Sequence, residues 1–78
     1  MSAFFAEIKE RYSDPARFIR TLRNRLALHG ISQGALSRRA GFHPTHVSRW
    51  IGENPSRTPD MKSMVILDEA LEALIRGE

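Results

Sequence analysis

The amino-acid sequence predicts an all-α fold, a compact bundle of about five short helices. Three observations predict it. Apolar residues recur three and four apart along most of the chain, the spacing of one helical face. Cap and stop residues cut that pattern into short lengths, at Asp14-Pro15, Gly30, Ser32, Gly41 and Thr58-Pro59. No stretch reads as a strand.

The first helix is expected from Ala3 to about Arg11, inside an N-terminal extension of residues 1–13. Ser2 stands as its N-cap, and Phe4, Phe5, Ile8 and Tyr12 share one face. The second begins at "SDPAR". Asp14 caps it, and Pro15 suits the first helical position, where a missing N–H costs no intrahelical bond. Phe18, Ile19, Leu22 and Leu26 form its apolar stripe, and Arg17, Arg20, Arg23 and Arg25 occupy other faces. Gly30 is its stop. The third runs from Gln33 to about Ala40, with Ser32 as cap and Leu36 pointing inward. Gly41 ends it in the left-handed conformation that glycine adopts cheaply. The fourth runs from Pro44 to about Ile51, and "GENPSR" follows as a turn-rich loop. The last is expected over residues 58–76, capped by Thr58, with Pro59 next and Asp60 in the first turn, where the helix dipole favours a carboxylate. Met61, Met64, Val65, Leu67, Leu71, Leu74 and Ile75 line it, with a break near its end. The short connections at Gly30 and Gly41 suit helices crossing at steep angles.

Composition narrows the class. The 78 residues suffice for one domain with one modest core, and 41% are hydrophobic, enough to fold. There is no cysteine, so neither disulfides nor thiolate metal sites enter. No apolar run approaches a bilayer span, and "MSAFFAEIKERYSD" lacks the leading basic cluster of a signal peptide. The net charge of +3 hides an asymmetry. Residues 17–57 carry eight arginines against Glu53 alone, a net of +7, while the two ends are acidic. A basic middle between acidic ends marks a local face for a polyanion. Ten of the twelve basic residues are arginine, which suits phosphate and guanine better than lysine does.

The stretch "ISQGALSRRAGFHPTHVSRWIG" concentrates this charge and holds no carboxylate. A short helix, a tight glycine turn and a second short helix make a helix-turn-helix. Leu36 and Ala40 face inward from the first helix, Phe42 plugs the turn, and Val47, Trp50 and Ile51 face inward from the second. Ser37 is small where the helices must approach. Thr45, His46, Ser48 and Arg49 remain on the outer face.

This stretch, with Ser32-Gln33, Leu36, Ala40-Gly41, Val47 and Ser48-Arg49, resembles the lambda repressor-like (Cro-type) helix-turn-helix domains, a family that general accounts of DNA recognition already use as an example. "RTPDM" and the apolar helix after it resemble the segment that follows the recognition helix there. The likeness covers residues about 17 to 75. It implies a sequence-specific binder of double-stranded DNA, a transcriptional repressor acting as a homodimer on a palindromic operator in bacterial or phage-infected cytoplasm, associated with the nucleoid. It implies that Pro44 to Ile51 lie in the major groove and that Thr45, His46, Ser48 and Arg49 reach base edges. Gln33, Arg38, Arg39 and Arg57 would meet phosphate. Arg38 and Arg39 are the weaker members, since neighbouring residues point differently. Two departures matter. Pro44 stands where many members carry an adenine-reading glutamine, which shifts reading to Thr45, His46 and Arg49. Trp50 is bulkier than the usual aliphatic residue and belongs to the core.

Rival readings are an antitoxin that masks a toxin protein and regulates its own synthesis, and an adaptor that binds only protein. A restriction-modification controller lies within the DNA-binding class. The dimer surface is expected on the acidic, apolar last helix, with or without the first. His43 and His46 alone make a poor zinc site. Ser32, Ser37 and Ser48 lack a base and its orienting partner, so no enzyme, cofactor, metal or small-molecule substrate is expected.

Overall fold

The computed structural model describes residues 12–52 and 57–78. All regular structure among them is helical. The helices are α1 (Pro15–His29), α2 (Gln33–Ala40), α3 (Pro44–Ile51) and α4 (Met61–Ile75). The expected helix from Ala3 to about Arg11 lies outside the described residues. Four of the five expected helices are therefore described.

Each of the four starts on a side-chain cap that satisfies an otherwise orphaned N–H. The Arg17 N–H donates to Asp14 Oδ1 at 3.2 Å, Ala35 N–H to Ser32 Oγ at 3.0 Å, and Thr45 N–H to His43 Nδ1 at 3.1 Å. For α4 the cap is Asp60, whose Oδ1 accepts from Ser63 N–H at 2.8 Å. This corrects the expected start at Thr58. Asp60 is the cap and not a first-turn residue, and Pro59 before it is buried in the fold. The shift also corrects Met61, which sits at the helix start, 44% exposed, rather than in the apolar stripe. The expected break is absent: α4 is continuous to Ile75 and ends through Arg76 and the left-handed Gly77.

Gly30 and Gly41 have φ of 65° and 79°, the left-handed region. Around Gly30 the Ile31 N–H reaches back to Leu26 O and the Gly30 N–H to Ala27 O, the paired bonds that close a helix before a sharp turn.

One core joins the helices. α1 contributes Phe18, Ile19, Leu22 and Leu26, α2 contributes Leu36, α3 contributes Val47 and Ile51, and α4 contributes Met64, Leu67 and Leu71. Tyr12 packs edge-on against Phe18, with ring centroids 5.6 Å apart. α4 packs against α2 and α1, and α3 packs against α2 and α1. An isolated helix as short as α2 or α3 is unstable in water, so burial must hold them. Burying a side chain such as Leu36, Val47 or Ile51 contributes about 1.5–3 kcal/mol, and all three are fully buried.

Arg25, expected off the apolar stripe, is half-buried. Its guanidinium turns to α4, with Nη1 3.2 Å from Asp68 Oδ1 and Nη2 2.5 Å from Glu72 Oε1. The Tyr12 hydroxyl donates to Asp68 Oδ2 at 2.8 Å. Asp68 is buried, so these bonds offset the cost of taking its charge out of water. No described helix is long and apolar enough to cross a membrane.

Candidate nucleic-acid interface

α3 has two unlike sides. Val47 and Ile51 are fully buried and tie the helix to the core. Thr45, His46, Ser48 and Arg49 are exposed. The local sequence explains the split, since positions 47 and 51 are one turn apart and the polar residues fill the remaining arc. Proline at the first position and His43 as cap start the helix without a free backbone donor being spent.

The Nδ1 atom of His43 is occupied as a cap acceptor. The ring of His46 stands 6.3 Å from that of His43 and 6.2 Å from that of Trp50. Trp50 is half-buried rather than fully inward, and it meets Phe42 edge-on at 5.1 Å. Phe42 therefore does fill the turn, with Trp50 as its lid. The exposed His46 thus lies beside the half-buried Trp50 ring.

The expected phosphate residues divide. Gln33 is exposed at the first position of α2. Arg38 folds back along the helix, since its Nη1 lies 3.5 Å from where a Cβ on Gly34 would stand. That brings its charge to the same end of α2 as Gln33. Arg57 donates its N–H to the Arg49 carbonyl at 3.3 Å, so these two cationic residues meet at the C-terminal end of α3. Arg39 goes elsewhere. With Ala40, Ile66, Glu69, Ala70, Ala73 and Arg76 it lines a groove of about 360 Å³ between α2 and α4. Arg76 Nε donates to Glu78 Oε2 at 2.7 Å and holds that carboxyl below its ordinary value, with Arg39 adding to the effect. Arg39, which is exposed, thus lies on the α4 side of α2, near the acidic end of the chain.

Two contributions were not apparent from the residues alone. Gly52 closes α3 in a position where a side chain would collide with Ser48, and Ser37 anchors α2 by donating its hydroxyl to the Gln33 carbonyl at 2.8 Å while fully buried. Among the described residues no three His, Asp or Glu side chains gather as a metal site would require. Comparison with protein-family models, with curated proteins and with solved structures finds no match to this chain.

Proposed function

We propose that the protein binds double-stranded DNA with sequence specificity and represses transcription, as a homodimer on two half-sites about one helical turn apart. The observation that carries this reading is the division of α3. Its apolar side is fully buried at Val47 and Ile51, and its polar side, with Thr45, His46, Ser48 and Arg49, stands in solvent. α2, the glycine turn and α3 then act as the helix-turn-helix read from the residues, with the DNA-binding role that the resemblance to Cro-type domains implied.

In this proposal Arg49 pairs with guanine O6 and N7, and Thr45 and His46 take neighbouring base edges. Ser48 reads a base or touches the backbone. Gln33 and Arg38 meet phosphate at one end of the motif and Arg57 at the other. Arg39 is left out of the phosphate set, because it lies in the groove beside α4.

Selection of bound sites from random DNA, followed by affinity against salt, tests the proposal. A preference over scrambled sequence and a steep loss of affinity with salt are expected. Arg49→Ala should relax discrimination at one base position by about 1–3 kcal/mol. Arg57→Ala should weaken all sequences alike and lower the salt slope by about 0.9. Equal binding to selected and scrambled duplexes would overturn the proposal. Little dependence on salt would favour a protein-binding adaptor instead.

A further inference from the structure

We infer that Arg20 and Arg23 form a second phosphate-binding surface on the flank of α1 beside α3. The duplex would then be held by two elements rather than by the motif alone. This rests on the DNA-binding reading and extends it to a helix that the reading leaves out.

α1 carries Arg17, Arg20, Arg23, Arg25 and His29 and not one carboxylate. One of its arginines is paired with negative charge, Arg25 with Asp68 and Glu72. Arg17 meets Asp14 through its backbone N–H at the helix cap. Arg20 and Arg23 are exposed, and neither forms an ion pair among the described residues. They are three apart, so they are neighbours on one face and repel each other. A helix that keeps two adjacent like charges with nothing to compensate them is poised for a partner of opposite sign.

The direction of that face follows from helix geometry. Each residue turns the helix by about 100°, so Arg23 lies about 160° and Arg20 about 140° around the axis from Arg25. Arg25 marks the side facing α4, because both of its partners are on α4. α1 packs against α4 and α3. With α4 on the Arg25 side of the buried stripe, α3 takes the other side, where Ile19 and Leu26 adjoin Arg23. Arg23 therefore borders the α3 side of that stripe, and Arg20 lies about 60° further round toward solvent, so the pair runs from the α3 side of α1 onto its exposed face. Guanidinium groups bind phosphate in a two-pronged geometry, and two of them one turn apart can engage one strand of the backbone.

The test uses the full chain and a duplex recovered by selection from random DNA. Wild type, the double variant Arg20→Ala/Arg23→Ala and the double variant Arg20→Lys/Arg23→Lys are titrated from about 50 to 200 mM salt, with thermal melts to match their folding. Loss of two phosphate contacts lowers the salt slope by about 1.8. Wild type should then lose about tenfold more affinity than the alanine variant over that range. The alanine variant should weaken on selected and scrambled duplexes by the same factor, and the lysine variant should recover the slope. An unchanged slope in the alanine variant overturns the inference and leaves the arginines to an acidic protein partner or to none. Loss of discrimination in place of uniform weakening also overturns it, since α1 would then act only by supporting α3. Failure of the DNA-binding reading looks different: wild type itself would show neither slope nor preference.

Discussion

At Gly52 it is space, not backbone angle, that requires glycine. Its φ of −70° and ψ of −178° are open to any residue. A Cβ there, however, would run into the carbonyl oxygen of Ser48, the same oxygen that accepts the Gly52 N–H at 2.8 Å. That oxygen belongs to the backbone of α3 and cannot move aside without breaking the bond that closes the helix. Gly52→Ala is expected to destabilise the protein by about 1–3 kcal/mol, read as a lower midpoint in urea unfolding. An unchanged midpoint would mean that the end of α3 yields freely. The other turn glycines work differently. Gly30 and Gly41 have open space around them and positive φ, and their place after an apolar stripe made that need legible in the sequence. The need at Gly52 was not legible, because it depends on how close a carbonyl four residues back comes in space. The same limit applies to Arg38 and Arg39. Identical neighbours differ by about 100° around the helix, and only the packing of α4 decides which one turns into the groove.

Among the elements, α4 shows what local rules can and cannot resolve. "TPDM" offers two good caps two residues apart, Thr58 and Asp60. In the fold Asp60 Oδ1 accepts from the Ser63 N–H and Pro59 before it is buried, an environment that only the assembled bundle supplies. By contrast Ser32 had no competitor beside it, Pro15 at the first helical position picked Asp14 over Ser13, and α1 and α2 begin where the sequence predicts. The Asp60 cap has a consequence for pH. The side chain of Ser63 first, and its backbone N–H next, hydrogen-bond the carboxylate and hold its pKa below the ordinary 3.8. A depressed carboxylate adds stability above its unfolded pKa and loses it as pH falls through the lower, folded value. The contribution is therefore complete near neutrality and fades only below about pH 4. Asp60→Asn keeps a capping oxygen but cannot titrate. If the Asp60 charge matters, thermal melts of the two proteins should differ at neutral pH and converge as pH falls through the lowered, folded pKa. A difference that does not change with pH would show that the cap acts through its hydrogen bond alone.

At the scale of the whole molecule, the division of charge was legible and its partnering was not. A net of +7 over residues 17–57 is written in the sequence, and it predicted a polyanion face. Nothing in that count separates Arg25 from Arg23, which lie two positions apart on one helix. The bundle separates them, because α4 brings the buried Asp68 and the half-exposed Glu72 to Arg25 and nothing comparable to Arg23. Opposite effects should follow from removing them. Arg25→Ala takes one cation from the Asp68 carboxylate, whose side chain is only 7% exposed, and leaves the Tyr12 hydroxyl still donating to it. The cost should be about 1–3 kcal/mol in urea unfolding, below that of a wholly buried pair, because the Glu72 limb of the bridge is screened by water. The salt slope of DNA binding should stay within error of wild type, since a charge already neutralised inside the protein releases no counterion from the duplex. Arg23→Ala should do the reverse, leaving the unfolding midpoint in place and lowering the slope by about 0.9. If both substitutions lower the slope equally, Arg25 leaves its α4 partners to meet phosphate. The bundle would then not divide structural from DNA-facing charge as these contacts imply.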